Sequence, residues 1–269
     1  MLLREVGYAR PSSLDEALSL LAATDGARAL AGGQTLVNVM KARAASPDAL
    51  IDLNGLGELK GIDLAADGTL RIGAMTTYTE IAESAEARAR PILGEVCATI
   101  ADVQVRNRGT IGGNVCSNDP TNHLPPLMAA VGAQLTIAGA GGERTVPADD
   151  FFLGVYMTAV GPDELLTSIT VPPGKSDGFA SVTLGADGTC IVSAAASIDG
   201  GVRVALGCVD AVPVVLRPES ADEQAVRTAV REARLDPPSD VHASSEYRAH
   251  LAEVLAVRAA NDASQRARS

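Results

Sequence analysis

The chain switches repeatedly between two spacings of apolar residues, and each switch predicts an element. Leu14, Ala17, Leu18 and Leu21 share one helical face, opened by the capping box Ser13-x-x-Glu16 and followed by Gly26. A short buried strand at 29–31 runs into the pair Gly32-Gly33, and residues 35–42 read as a helix that starts just past that turn. After Pro47, the run Leu50-Ile51-Asp52-Leu53 is another strand. Ile62-Asp63-Leu64 and Thr69-Leu70-Arg71-Ile72 flank an Asp-Gly turn, which predicts a hairpin. Helices are expected at 78–84 and 91–101, and a second hairpin where 134–138 and 144–146 flank a glycine-rich turn.

Pro172-Pro173-Gly174 breaks the pattern and marks an expected boundary. Beyond it, residues 179–184, 191–198 and 202–209 read as three antiparallel strands, the last two joined by Asp199-Gly200-Gly201. Helices at 221–234 and 245–260 close the chain: Ala225, Val226, Ala229 and Val230 share one face of the first. The polar tail from Asn261 is expected to fray. The chain shows no internal repeat and no low-complexity segment.

With 269 residues, 46% hydrophobic and 20% charged, the sequence has the composition of a folded globular protein of one large domain or two or three small ones. Its 33 acidic residues against 22 basic ones, a net charge of −11, argue against a nucleic-acid or anionic-membrane surface. Arg106 and Arg108 form the local exception, either as phosphate or partner contacts or as solvated side chains. No apolar run approaches the ~20 residues of a membrane span, and the first residues lack the layout of a signal peptide, so a cytoplasmic location is expected. The four cysteines, Cys97, Cys116, Cys190 and Cys208, are too widely spaced for a zinc or iron–sulfur site and read as buried thiols in a reducing compartment.

The candidate chemistry lies in two glycine pairs, Gly32-Gly33 and Gly112-Gly113. Each is flanked by hydroxyl or amide side chains, as needed where backbone N–H groups approach a phosphate. Neither fits the Gly-x-Gly-x-x-Gly fingerprint or the P-loop, and a glycine pair after a strand is in most proteins a turn. No nucleophile with its base stands out, so no catalytic residue and no metal ligand is expected. Asp102 and Asp119 read as loop carboxylates with no evident partner for general acid or base work, Phe151 and Phe152 as core, and Cys116 as packing.

Two ordered motifs carry a resemblance. Ala31-Gly32-Gly33-Gln34-Thr35-Leu36 is followed by Met40-Lys41 and Leu50-Ile51-Asp52-Leu53, and then by Gln104-Val105-Arg106-Asn107-Arg108-Gly109-Thr110-Ile111-Gly112-Gly113-Asn114. Together with Leu124-Pro125-Pro126-Leu127, Asp150-Phe151-Phe152-Leu153-Gly154, Glu164-Leu165-Leu166 and Tyr247-Arg248, the chain closely resembles the FAD-binding medium subunit of molybdenum hydroxylases, a family that includes carbon monoxide and xanthine dehydrogenases. The resemblance implies an α+β fold: two α/β subdomains, 1–58 and 59–171, clamping FAD in the manner of vanillyl-alcohol oxidase (PCMH-type), then a C-terminal domain, 172–269, of three-stranded antiparallel sheet and helices.

It further implies that Leu30, Ala31, Gly32, Gly33, Gln34 and Thr35 wrap the FAD pyrophosphate, and that Thr110, Ile111, Gly112, Gly113 and Asn114 supply a second loop, with Ile111 against the flavin ring and Leu166 near the cofactor. Two positions depart from the family pattern. His123 stands where xanthine dehydrogenase-like members carry an aspartate, and reads equally as a flavin contact or a solvated loop residue; Thr183 or a neighbour stands where a lysine near the flavin is often found. The implied activity is that of an oxidoreductase subunit that takes electrons from the [2Fe–2S] clusters of a small partner, fed by a large molybdopterin subunit, and passes them to an external acceptor. A dimer of such three-subunit units is the implied assembly. A stand-alone flavin oxidoreductase and a non-catalytic FAD-binding module are the alternatives.

Overall fold

Three short strands, β1 (Gly7–Ala9), β2 (Ala27–Leu30) and β3 (Ala49–Asp52), lie parallel in the order β1-β3-β2. Parallel neighbours require crossovers, supplied by α1 (Leu14–Ala23) and α2 (Leu36–Lys41). Ser13 caps α1 by accepting from the Glu16 amide, and the Glu16 carboxylate accepts in turn from the Ser12 amide. β1 was not expected; three residues of an edge strand carry no readable period. The structure is a computed structural model and describes residues 3–185 and 188–268. The first two residues and the last residue of the expected units lie outside the described residues.

A five-stranded antiparallel sheet follows in the order β4-β5-β10-β6-β7, formed by β4 (Ile62–Leu64), β5 (Leu70–Gly73), β6 (Gln134–Gly139), β7 (Gly142–Pro147) and β10 (Leu165–Val171). Both expected hairpins are present, and β10 joins them through the centre. β8 (Phe152–Gly154) and β9 (Met157–Thr158) form a small separate hairpin. Between β5 and β6 run α3 (Tyr78–Glu83), α4 (Ile92–Thr99), α5 (Val103–Arg106), α6 (Ile111–Ser117) and α7 (Leu124–Ala130); α8 (Ala148–Phe151) follows β7. Phe151 and Phe152 are core residues, as expected.

The C-terminal sheet contains the three expected antiparallel strands, β11 (Asp177–Leu184), β12 (Thr189–Ser197) and β13 (Arg203–Gly207), and a fourth short edge strand, β14 (Val214–Leu216), paired to β13. α9 (Glu223–Glu232) and α10 (Ser245–Arg266) pack on one face. The tail beyond Asn261 does not fray. α10 runs on to Arg266 because Ala263 is buried and the Arg266 guanidinium makes a two-pronged pair with Glu95.

α7, buried along its whole length, packs against β12 and β13 of the C-terminal sheet and against α6 and α8. One apolar cluster joins Leu70, Ile72, Leu124, Leu127 and Ile169 to Ala195 on β12 and Ala205 on β13, so the core passes under Pro172 without a break. Polar groups tie the same junction. Arg90, 2% exposed, makes a two-pronged ion pair with Asp177, 1% exposed, and also donates to the Pro172 carbonyl at 2.6 Å and to Ser197 Oγ at 3.2 Å.

Candidate functional site

The 31–36 turn satisfies its carbonyls within the chain and leaves its amides without partners. The carbonyl of Ala31 accepts from Asn54 Nδ2 at 2.9 Å, that of Gly32 from Gln34 Nε2 at 3.2 Å, that of Gly33 from the Val37 amide at 3.1 Å and that of Gln34 from Asn38 Nδ2 at 2.7 Å. By contrast, none of the main-chain N–H groups of Gly32, Gly33, Gln34, Thr35 and Leu36 is hydrogen-bonded among the described residues. The segment is half-buried, with Thr35 exposed. Five successive amide donors with no internal partner are suited to anionic oxygens. Gly33 takes φ +75°, which keeps the turn tight where a side chain would be strained.

The second glycine pair works differently. The segment 110–114 is not a loop but the capped first turn of α6: Thr110 Oγ1 accepts from the Gly113 amide at 3.1 Å. The Ile111 amide donates to the Thr76 carbonyl at 3.0 Å, Gly112 to Ala74 at 2.9 Å and Asn114 to Thr110 at 3.0 Å. All four amides are thus spent on the protein itself. Gly112 is required by contact, since a Cβ there would lie 2.6 Å from both the Cβ and the carbonyl oxygen of Ala74.

The two segments touch backbone to backbone. A Cβ on Gly32 would lie 2.1 Å from the Arg108 carbonyl oxygen and 2.9 Å from the Cα of Gly109. Asn114, buried, donates through Nδ2 to the Tyr78 hydroxyl at 2.9 Å, while its Oδ1 has no hydrogen-bond partner. Ile111 is 1% exposed. The structure therefore brings Leu30 to Thr35 and Thr110 to Asn114 together in one place.

It sets the other expected residues apart. Leu166 is buried in the central strand β10, paired with Ile137, and belongs to the core beneath α6. His123 is not a solvated loop residue: it is 6% exposed at the start of α7 and packs edge-on against Phe179 with ring centroids 5.2 Å apart. Thr183 lies on β11.

The remaining loop residues make local structural bonds. Arg106 donates to the carbonyls of Ile100 and Ala101, closing a turn. Asp102 caps α5, and Asp119 accepts from Thr121 and from the Tyr156 hydroxyl. These short-range caps were readable in principle from Asp-x-x and Asp-x-Thr spacing. All four cysteines are free thiols. Among the described residues no helix is long and apolar enough to cross a membrane.

Comparison with known proteins shows the family. Residues 4–174 match the model of the FAD binding domain in molybdopterin dehydrogenase. The carbon monoxide dehydrogenase medium chain of Afipia carboxidovorans is 38% identical, covering 97% of this chain and 98% of that one. The xanthine dehydrogenase FAD-binding subunit of Escherichia coli O157:H7 is 30% identical, with 95% of each chain covered. The solved carbon monoxide dehydrogenase of Hydrogenophaga pseudoflava contains a chain that superposes with a TM-score of 0.91 at 36% identity, covering 99% of both chains. The α+β fold, the matched FAD-binding domain and end-to-end likeness to oxidoreductase subunits lead to one conclusion: the chain belongs to the FAD-binding subunit family of the molybdenum hydroxylases.

Proposed function

We propose that this chain is the flavin-bearing electron-transfer subunit of a molybdenum hydroxylase complex, and that the amides of Gly32, Gly33, Gln34 and Thr35 hold the FAD pyrophosphate. The observation that carries this reading is the run of unpaired donors from Gly32 to Leu36, packed against the segment that leads into α6. Leu30 and Ala31 lead the chain into the turn, and the Thr35 hydroxyl is exposed beside it. Thr110, Ile111, Gly112, Gly113 and Asn114 form the opposing wall. Because their amides are internally bonded, that wall acts by shape and by the spare Oδ1 of Asn114. His123 and Leu166 act from below, through packing.

Bound FAD supplies the one- and two-electron chemistry that lets a relay accept electrons singly and release them singly or in pairs. The chain's own task is to fix the cofactor and offer docking faces. In this reading the electrons come from the [2Fe–2S] clusters of a small subunit, fed by a large molybdopterin subunit, and leave to an external acceptor. The assembly is a dimer of heterotrimers in the cytoplasm, where free thiols persist. In this reading the chain comprises units 1–58, 59–171 and 172–269, the third resting on the second through α7.

The test is purification of the untagged protein from its native source under mild conditions. A flavin spectrum together with co-eluting molybdenum and iron–sulfur subunits is the expected result. Flavin without partners points to a stand-alone flavin oxidoreductase or a non-catalytic FAD-binding module, and protein that neither carries nor takes up FAD overturns the proposal.

A further inference from the structure

A trans peptide plane sets each carbonyl opposite the N–H of the next residue. Among the described residues no peptide bond is cis. Whatever holds the carbonyls of Ala31, Gly32, Gly33 and Gln34 therefore also sets the directions of the Gly32, Gly33, Gln34 and Thr35 amides. Three of these carbonyls are held from within the turn or from α2, by Gln34 Nε2, the Val37 amide and Asn38 Nδ2. The carbonyl of Ala31, at the entrance of the turn, is held from outside. Its donor is Asn54, 23 positions away in the short 3₁₀ turn Leu53–Gly55 that follows β3.

The parallel sheet brings these residues together. β3 is the middle strand, with Asp52 in register with Leu30 of β2 and Ile51 in register with Ala9 of β1. Asp52 closes β3 and is buried. Its Oδ1 accepts from the Asn54 main-chain amide at 2.9 Å and from Asn54 Nδ2 at 2.6 Å, and its Oδ2 accepts from the Tyr8 hydroxyl of β1 at 2.5 Å. Both hydrogens of the Asn54 side-chain amide are thus spent, one on Asp52 and one on the Ala31 carbonyl at 2.9 Å. Turned over, the same amide would set its oxygen against a carboxylate and a carbonyl, so its two acceptors permit one orientation. A line of hydrogen bonds crosses all three strands, from Tyr8 through Asp52 and Asn54 to the peptide that carries the Gly32 N–H.

We propose that Asn54 is a positioning residue for the pyrophosphate of FAD: it holds the Ala31–Gly32 peptide so that the Gly32 N–H is preset for an anionic oxygen, and Asp52 and Tyr8 hold Asn54 in turn. This inference rests on the reading of the Gly32 to Thr35 amides as the pyrophosphate site. Asn54 acts through the peptide and not on the ligand, since its amide lies on the carbonyl side of the plane and the Gly32 N–H on the other. Without Asn54 the Ala31–Gly32 peptide keeps no hydrogen bond at either end among the described residues. Binding would then have to order a donor that the wild-type chain supplies already ordered, and ordering of that kind is subtracted from affinity.

The full-length protein, stripped of flavin, is titrated calorimetrically with FAD, with ADP, which carries the pyrophosphate without the flavin, and with riboflavin, which carries the flavin without the pyrophosphate. Asn54→Ala and the similarly shaped Asn54→Leu both keep the main-chain N–H that Asp52 caps and remove the donor to Ala31. Each is expected to weaken FAD and ADP by the same factor, about tenfold, and to leave riboflavin affinity and the denaturant midpoint of unfolding at their wild-type values. Should one variant not fold, the other decides. Wild-type affinity for FAD and ADP in the variant overturns the proposal and leaves the pyrophosphate reading standing. A loss that extends equally to riboflavin and comes with a lower midpoint also overturns it, because that is the mark of a residue that only supports the fold. A wild-type protein that takes up neither FAD nor ADP overturns the pyrophosphate reading, and the proposal with it.

Discussion

Gly32 is the residue on which the two candidate segments meet, and its role is contact rather than freedom. The φ angle of Gly32 is not in the left-handed region; what excludes a side chain is the Arg108 carbonyl oxygen, 2.1 Å from where a Cβ would sit. Backbone cannot give way as a flexible side chain can, so Gly32→Ala separates the amide-rich turn from α6. Flavin binding, followed by fluorescence titration, is expected to weaken at least tenfold, about 1.4 kcal/mol. Gly57→Ala, where nothing lies within 4 Å of the new Cβ, is the matched control and is expected to leave affinity unchanged. Both glycine pairs were visible in the sequence, but the division of labour between them was not. Which amides are already spent depends on Ala74 and Thr76, more than thirty positions upstream of the residues they bond. A second residue-scale expectation concerns acid. Backbone hydrogen bonds from His242 and Ala243, with Arg248 adding, hold Asp240 down to about 2 from an ordinary value of 3.8. A carboxyl depressed in the folded state contributes stability that is full above its unfolded value and is lost as pH falls through the folded one. Denaturant unfolding followed from pH 5 to pH 2 is therefore expected to show a steeper loss, between about pH 4 and pH 2, in the wild type than in Asp240→Asn.

At the scale of elements, legibility followed length and capping. α1, the two hairpins and both C-terminal helices announced themselves through capping boxes, Asp-Gly turns and sustained periods. β1 and β14 did not, because three residues on a sheet edge have no period to display. A bulge at Ile191, where the pairing of β11 with β12 passes from Val182↔Val192 to Thr183↔Cys190, was equally invisible: the run from Cys190 to Ser197 is apolar or small throughout, so nothing in it shows which face each residue takes. The Arg90–Asp177 pair is a contact between elements that no local pattern could reveal, and it is buried at both ends. Removing one partner of such a pair strands the other charge away from water. Asp177→Ala is expected to lower unfolding free energy by about 3–5 kcal/mol, measured by denaturant titration. The double replacement Arg90→Met with Asp177→Leu is expected to recover much of that loss, since no charge is then left unpaired.

For the whole molecule, the decisive element is α7. Its sequence, with Pro125-Pro126 near the start and no polar residue after His123 until Gln134, predicts no amphipathic helix, because it has no solvent face. It is covered on one side by α6 and α8 and on the other by β12 and β13, where Ala195 and Ala205 belong to the same apolar cluster as Leu127 and Met128. Arg203 fastens this contact by donating to the Ala129 carbonyl at 2.7 Å and pairing with Asp149 at 2.6 Å. The segment that matches the FAD-binding family model ends at residue 174, yet the core that supports it does not. A fragment of residues 1–174 keeps every candidate FAD-contacting residue but exposes the C-terminal-facing side of α7 and strands the buried guanidinium of Arg90. Such a fragment is expected to bind a hydrophobic dye, to melt well below the full chain and to lose flavin affinity although no residue of either glycine segment has been touched. A fragment with the melting temperature and flavin affinity of the full chain would show instead that residues 175–269 are a separately folded appendage, and that α7 tolerates water on the side now covered by β12 and β13.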